Sequence, residues 1–382
     1  MSQLASSAPF RVAMAQVNPL IGDIHGNTSL VLETAQLALQ QEAHMVVFPE
    51  LTLTGYSPED LLLRPGLDGR IFTALERICA ARLPLYLVLG YPGRQEGELY
   101  NMLAVIHEGQ IIGRYRKQRL PNYQVFDEKR YFKKGGEALL LSIAGMRMAF
   151  SICEDLWDKT VMQQAAVLGA RLMININGSP YHRNKVRERR ALLQQRVLEG
   201  GMPLIYVNQV GGQDELVFDG ASMALDIDGR VQVQAPQFAE ALSLVDLQLE
   251  PPSAAVPGMA VGQQAPLLER DAELYEALVL GLRDYVNKNR FSGVVLGLSG
   301  GIDSALTLAL AVDALGAERV QAVMMPFEHT SAMSLEDAQL QATTLAVDYR
   351  VIPIAPAYEA FMEMLAGEFA GRPSDLSEQN LQ

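Results

Sequence analysis

The chain has 382 residues, of which 49% are hydrophobic and 20% charged, and its formal net charge is −13. Since a single hydrophobic core stops growing at roughly 250–300 residues, this length predicts two domains. The negative charge argues against nucleic acid as a partner and favours small-molecule substrates. With only two cysteines and no run of about 18 apolar residues, the sequence predicts neither a disulfide framework nor a membrane span, and we expect a cytoplasmic protein.

The first part of the chain alternates apolar runs with amphipathic stretches, a pattern typical of α/β folds. Strands are predicted at 10–15, 45–48, 85–89, 146–152, 172–176 and 204–207, and helices at 27–43, 71–83 and 185–199. Two hairpins are predicted, over 101–116 and 222–233, because Glu108-Gly109 and Asp228-Gly229 supply turn residues. The sheet structure is therefore expected to be mixed.

A change of composition separates this part from the next. Residues 250–258 read Glu-Pro-Pro-Ser-Ala-Ala-Val-Pro-Gly and have neither a helical nor a strand period, which is typical of a linker. We therefore predict a first domain over 1–247, a linker over 248–270 and a second domain over 271–382. In that second domain the strands are predicted at 293–298, 320–325 and 350–354, and the helices at 273–288, 304–315 and 334–347. This βαβ order predicts a parallel sheet, of which only part is built by the last residue.

Three chemically capable side chains follow predicted strands of the first domain. They are Glu50, Lys117 and Cys153, and catalytic groups of α/β proteins collect at the carboxyl ends of strands. A thiol attacks a carbonyl as a thiolate, so Glu50 is a candidate base and Lys117 a candidate stabiliser of the oxyanion. The alternative interpretation is that Cys153 only packs, as we predict for Cys79, but two carboxylates and the single tryptophan follow Cys153 directly.

Four short sequence motifs carry a family resemblance over residues 10–247. They are Phe48-Pro49-Glu50, the run Arg-Lys-Gln-Arg-Leu-Pro-Asn-Tyr at 116–123, Val-Phe-Asp-Glu at 125–128, and Cys-Glu-Asp-Leu-Trp at 153–157. Together they resemble the glutamine-hydrolysing branch of the nitrilase superfamily. The resemblance implies an αββα sandwich in which Glu50 is the general base, Lys117 stabilises the oxyanion, Cys153 is the nucleophile and Glu128 is an auxiliary carboxylate.

The same resemblance implies four contacts to glutamine. These are Tyr123, Glu154, Ser179 and Lys185, with Glu154 holding the α-amino group of the substrate. Each of three residues also has a purely structural interpretation: loop packing for Tyr123, a turn cap for Ser179 and a solvated charge in the first helical turn for Lys185.

A glycine-rich turn opens the second domain. Its residues are Gly297, Leu298, Ser299, Gly300, Gly301, Ile302, Asp303 and Ser304, between a predicted strand and a predicted helix. Backbone amides, two hydroxyls and a helix N-terminus together predict a phosphate-binding loop. The loop has neither the Gly-Lys-Ser/Thr ending of a Walker A motif nor the G-x-G-x-x-G spacing of a Rossmann turn. A kinase, a GTPase and a dehydrogenase are therefore disfavoured. Asp303 is a helix-capping residue or a ligand for Mg²⁺.

This turn resembles the ATP pyrophosphatase loop, which is used by enzymes that adenylylate a carbonyl group and release pyrophosphate. A nitrilase-type domain followed by this loop resembles the glutamine-dependent NAD synthetases. That resemblance implies ATP, Mg²⁺, glutamine and deamido-NAD as small-molecule ligands, a homo-oligomer, a Rossmann-like sheet, and contact between Asn380 and deamido-NAD. The family normally continues past Gln382, so we expect the synthetase domain to be incomplete here.

Two other interpretations remain open at this point. The chain is alternatively a freestanding nitrilase-type amidase with a non-catalytic nucleotide-binding appendage. In a further alternative the second domain is an interaction module, because an incomplete sheet exposes strand edges. His329 receives no role.

Overall fold

The computed structural model describes residues 9–249, 256–328 and 330–370. The chain divides into two compact units, Met1–Ala277 and Leu278–Gln382. Residues 250–255 of the predicted linker over 248–270 lie outside the described residues, and the bounds of the linker stay a prediction.

The N-terminal unit is built from two large sheets and the helices that cover them. Its strands are β1 Phe10–Gln16, β2 Met45–Val47, β3 Tyr86–Gln95, β4 Glu98–His107, β5 Gln110–Arg116, β6 Leu139–Ile143, β7 Met146–Ile152, β8 Leu172–Asn177, β9 Leu204–Asn208, β10 Val210–Gln213, β11 Leu216–Asp219, β12 Met223–Leu225, β13 Val231–Gln234, β14 Ala241–Gln248 and β15 Gly258–Met259. Its helices are α1 Ile24–Gln40, α2 Leu67–Ala80, α3 Glu128–Tyr131, α4 Lys159–Val167 and α5 Lys185–Gly200.

The two sheets each contain a parallel core with antiparallel edges. The first has the order β15-β14-β1-β2-β3-β4-β5, and β1, β2 and β3 are parallel. The second has the order β13-β12-β9-β8-β7-β6, and β7, β8 and β9 are parallel. Strands β10 and β11 form a separate antiparallel pair. The predicted mixed sheet is therefore confirmed.

The alternation of side chains along each strand places these sheets face to face. On β1, Met14 packs in a cluster with Ile152 and Ile174 of the second sheet, whereas its neighbour Ala15 packs in a cluster with residues of α1 and α2. The outer face of the second sheet packs against α4 and α5. Since successive strand residues point to opposite faces, both faces of each sheet are buried. The resulting layer order is α, β, β, α, as the resemblance implied.

Several elements were absent from the predictions. Strand β3 extends to Gln95 through Gly90, Pro92 and Gly93, residue types that disfavour strands, because it pairs along its length with β4. Strands β6, β10, β11 and β14 and helix α4 were also missed. Of these, β14 pairs with β1, more than 200 positions away in the sequence, and a local pattern does not report such a pairing.

The C-terminal unit contains a three-stranded parallel sheet of the predicted type. Its elements are α6 Arg270–Lys288, which begins before the division between units, β16 Val294–Gly297, α7 Ile302–Leu315, β17 Val320–Met324, α8 Ala332–Thr344, β18 Asp348–Val351 and α9 Ala355–Phe369. The strand order is β16-β17-β18. Among the described residues, no helix has the length and apolar character to cross a membrane.

Candidate functional site

The three predicted catalytic side chains lie at the carboxyl ends of strands in the two facing sheets. Glu50 follows β2, Lys117 follows β5 directly, and Cys153 follows β7 directly. All three are buried, with Glu50 and Lys117 fully enclosed. The packing of the sheets therefore brings together residues that are more than thirty positions apart in the sequence.

Glu50 and Lys117 are in direct contact. Nζ of Lys117 donates to Oε1 of Glu50 at 2.6 Å. The same oxygen accepts a hydrogen bond from Nδ2 of Asn101 at 2.7 Å, and Oε2 accepts one from the amide of Gly178 at 2.8 Å. Since three donors hold the carboxylate, its orientation is fixed before any ligand binds.

Glu128 shares the same ammonium group. Nζ of Lys117 donates to its Oε1 at 2.8 Å, and the hydroxyl of Tyr56 donates to that oxygen at 2.9 Å. Burial raises the pKa of Glu128 to about 7, against the charge of Lys117, and the nearby Glu50 adds to the increase. Burial lowers the pKa of Lys117, but the charges of Glu128 and Glu50 outweigh this effect and raise that pKa well above its usual value. Protonation of one carboxylate leaves this dry cluster without net charge.

Cys153 has a strained and enclosed position. It begins the short 3₁₀ turn Cys153–Leu156, has a φ of +44° and is 5% exposed. Burial and the charge of Glu50 raise the pKa of its thiol, whereas Lys117 lowers it. The resting thiol is therefore protonated, and its attack on a carbonyl requires a base.

Two of the predicted glutamine contacts are bonded to each other beside Cys153. The hydroxyl of Tyr123 lies 3.1 and 3.0 Å from the two carboxylate oxygens of Glu154, the residue after the cysteine. Both residues line one cleft together with Trp157. A half-buried carboxylate in this cleft can accept an ammonium group, and the role of Glu154 in binding the α-amino group stays a prediction.

The other two predicted contacts lie close by. The amide of Ser179 donates to Oδ1 of Asn208 at 2.9 Å, and its carbonyl accepts from Nδ2 at 3.2 Å. Nζ of Lys185 lies 4.3 Å from the centre of the Trp157 ring. Burial and the charge of Arg189 lower the pKa of Lys185, while a thiolate at Cys153 would act in the opposite direction. Lys185 and Cys153 therefore lie within electrostatic reach of each other.

Sequence reasoning missed three groups that hold the charged cluster. Asn101 interrupts an apolar run on β4, and this isolated polar residue was a usable signal. Tyr56 lies in a Gly-Tyr-Ser-Pro stretch that reads as an ordinary turn. The amide of Gly178 contacts Glu50 across 128 positions, and no local pattern indicates such a bond.

The glycine-rich loop joins β16 to α7 in the second unit. Gly300 has a φ of +77°, and a Cβ atom there would collide with the carbonyl oxygen of Ser334. Oγ of Ser304 accepts a hydrogen bond from the Ser299 amide at 3.2 Å, and Oγ of Ser299 accepts one from the Gly301 amide at 3.2 Å. The loop is exposed at the N-terminus of α7, where backbone amides and the helix dipole favour an anion.

Asp303 is exposed in the first turn of α7. Over residues 9–249, 256–328 and 330–370, no group of three or more His, Cys, Asp or Glu side chains could hold a metal ion. At phosphate sites Mg²⁺ takes one or two carboxylates and completes its shell with phosphate and water, so one carboxylate fits such a site.

The remaining predicted residues of the second site differ in their exposure. Leu298 is buried and Ile302 is exposed. Asn380 lies outside the described residues, and its predicted contact stays a prediction.

Comparisons with known proteins match both units. The Carbon-nitrogen hydrolase family model matches residues 11–253, and the NAD synthase model matches residues 274–382. The chain is 42% identical over 374 residues to the glutamine-dependent NAD(+) synthetase of Acinetobacter baylyi, covering 98% of this chain and 68% of the relative. It is 39% identical over 403 residues to that of Thermotoga maritima, covering 97% of this chain and 70% of the relative.

Solved structures extend the similarity to three dimensions. Glutamine-dependent NAD+ synthetase from Acinetobacter baumannii in complex with ADP superposes with a TM-score of 0.93 and 43% identity, covering 97% of this chain and 70% of that one. A mutant amidase from Nesterenkonia sp. AN1, with an acetamide moiety covalently added at its active-site cysteine, superposes with a TM-score of 0.59 and 25% identity. That match covers 65% of this chain and 94% of the amidase.

Proposed function

This chain belongs to the family of glutamine-dependent NAD(+) synthetases, which are ATP-dependent ligases, and from that premise we propose a two-step reaction with a division of labour between its units. The N-terminal unit hydrolyses glutamine to glutamate and ammonia. The C-terminal unit adenylylates deamido-NAD⁺ with ATP, releases pyrophosphate, and lets ammonia displace AMP to give NAD⁺. The freestanding amidase is not favoured, because the relatives match across both units.

The observation that carries the first step is the buried contact between Lys117 and Glu50 within electrostatic reach of the Cys153 thiol. Glu50 takes the thiol proton as the sulfur attacks the side-chain amide carbon of glutamine. The ammonium of Lys117 donates to the tetrahedral oxyanion, and Glu50 returns the proton to the departing ammonia. A water molecule, deprotonated by Glu50, then cleaves the thioester and releases glutamate.

The proposed contacts bind different parts of the glutamine. Glu154, held by Tyr123, accepts the α-ammonium group. Ser179, in the loop before α5, supplies a hydroxyl donor, and Lys185, the first residue of α5, supplies a positive charge. These charges select an α-amino acid over a simple aliphatic amide, because an unpaired charge in a half-buried cleft is costly.

The second step is supported by the loop from Gly297 to Ser304. The amides of Ser299 and Gly301 now donate to serine hydroxyls of the loop, and in the proposed complex they exchange these bonds for bonds to the phosphates of ATP. Asp303 is the residue that would hold Mg²⁺. Mg²⁺ bound there would neutralise phosphate charge. We place the domain boundary in the segment 248–270, which overlaps the gap over 254–273 between the two family matches. We also propose that the protein is a cytoplasmic homo-oligomer. Both of its cysteines are free thiols.

Two substitutions in the full-length protein test this division. Cys153→Ala should abolish NAD⁺ formation from glutamine and preserve NAD⁺ formation from ammonia. Asp303→Ala should remove pyrophosphate release and leave basal glutamine hydrolysis measurable. If Cys153→Ala lost NAD⁺ formation from glutamine and from ammonia equally, the division would be contradicted. Full pyrophosphate release by Asp303→Ala would also contradict it.

A further inference from the structure

Asp155 lies two residues after the nucleophile and has no role in the steps above. It lies in the 3₁₀ turn Cys153–Leu156, and its side chain is fully buried. Lone buried carboxylates are costly unless every oxygen is hydrogen-bonded or the charge is paired. The surroundings of this carboxylate therefore indicate why it is there.

Each oxygen of Asp155 accepts two hydrogen bonds. Oδ1 accepts from the amides of Gln118 and Arg119, at 2.9 and 2.8 Å. Oδ2 accepts from the hydroxyl of Tyr115 at 2.7 Å and from the amide of Ile152 at 2.9 Å. One side chain thus has four donors. Three of them lie in or just after β5 of the first sheet, namely the Tyr115 hydroxyl and the amides of Gln118 and Arg119.

These donors surround the catalytic positions in the sequence. Tyr115 precedes Lys117 by two positions and Gln118 follows it, while Ile152 immediately precedes Cys153. The carboxylate therefore joins the strand end that carries the ammonium to the strand end that carries the thiol. Those strands, β5 and β7, belong to different sheets, so no backbone ladder links them.

The backbone at Cys153 requires such support. A φ of +44° is uncommon and unfavourable for a residue with a side chain, so surrounding contacts must impose it. We propose that Asp155 is a positioning residue for glutamine hydrolysis, which holds the Cys153 thiol and the Lys117 ammonium in register by fixing both turns. This inference rests on the proposed function of the N-terminal unit.

Asp155→Asn is the sharpest substitution because it preserves shape and removes acceptor capacity. If the new Nδ2 faces Tyr115, the phenol can rotate to accept from it, but the amide of Ile152 loses its acceptor. If Nδ2 faces the other way, the amides of Gln118 and Arg119 both lose theirs. Either orientation loosens one of the two turns.

We expect Asp155→Asn to lower kcat for glutamine hydrolysis by about 100-fold with KM changed less than about threefold, the loss that a 1 Å misplacement of a reacting group produces. It should also slow alkylation of Cys153 by iodoacetamide and alter its pH dependence, because Lys117 no longer lowers the pKa of the thiol as strongly. A merely structural residue would change stability without changing the pH dependence of alkylation.

Two further variants keep the test decisive. Asp226→Asn is the matched control, since Asp226 also accepts backbone amides, those of Asp228 and Arg230, but in the β12–β13 turn. It should leave kcat and alkylation unchanged. Tyr115→Phe removes one of the four donors, and if Asp155→Asn fails to fold, it should still lower kcat by roughly tenfold or less.

The outcomes separate this inference from the proposed function. If the wild-type protein hydrolyses glutamine, and folded Asp155→Asn has the same kcat and the same alkylation profile, the positioning role is overturned and the proposed function stands. Where Asp155→Asn does not fold, the same result in Tyr115→Phe leads to the same conclusion. If the wild-type protein does not hydrolyse glutamine but Cys153 alkylation is altered in the variant, the proposed function is overturned, and the result still supports the positioning of the thiol and the ammonium by Asp155.

Discussion

The two candidate sites hold their polar groups in opposite ways. In the first, side chains from two sheets are enclosed and hydrogen-bonded to one another, as in the contacts of Glu50 with Lys117 and Asn101. In the second, Ser299 and Ser304 bond mainly to their own loop, and the loop is exposed. A nucleophile needs charges that are fixed in an enclosed setting before the substrate arrives, whereas an exposed loop can exchange its internal hydrogen bonds for bonds to a phosphate.

This difference predicts that the first site depends on side-chain identity. Replacing Glu50 by Gln should lower kcat for glutamine hydrolysis by on the order of 1000-fold, because the thiol loses its base. Glu42→Gln is the control, since that side chain is 88% exposed. A stopped assay of glutamate release with purified proteins measures both, and a tenfold loss or less would assign the base to another group.

The second site should depend instead on backbone conformation. Gly300→Ala should weaken Mg²⁺-ATP binding by roughly 10–100-fold, because a side chain at φ +77° is strained and collides with Ser334. Gly301→Ala is the matched control, because φ at Gly301 is −89°. Titration calorimetry compares the two. Equal affinity in both variants would mean that the loop adapts and is not preformed.

The enclosed site also predicts a dependence of stability on pH that an exposed site lacks. The pKa of Glu128 in the folded protein, about 7, lies above its value in the unfolded chain, roughly 4.3. The folded state therefore binds this proton more tightly, and the contribution to stability is complete below about pH 4 and is lost as the pH rises towards 7.

Glu128→Gln should reduce the slope by on the order of 1–3 kcal/mol between pH 4.5 and 7, and Asp155, whose pKa burial raises to about 6, should retain its own contribution. Urea unfolding of the wild-type protein and the variant at several pH values measures it. Glu33→Gln, on the exposed side of α1, should retain the wild-type slope. A slope of the opposite sign would mean that the carboxylate is ionised in the folded state and stabilised by Lys117.

Much of the fold could be predicted from the sequence because secondary structure has a local period. Strand β7 was predicted with its observed bounds, and the bounds of β8, β9 and α5 differ from the prediction by one residue at the C-terminal end. Family membership was also predicted and is confirmed by the matches across both units. Strand β14 was missed, although it pairs along the whole of β1, because its partner lies at the other end of the domain.

Local sequence was enough to nominate candidates for the chemistry, and these stay predictions. Glu50, Lys117 and Cys153 each follow a strand, and glycines with serines follow β16, but the roles predicted for them came from motifs that resemble known families. The way in which these side chains are held could not be predicted, because it depends on tertiary contacts. The bonds from Asn101 and Gly178 to Glu50 span 51 and 128 positions, and the four bonds of Asp155 mostly cross between two sheets. Such contacts depend on how the sheets pack, and that geometry leaves no periodic trace in the local sequence.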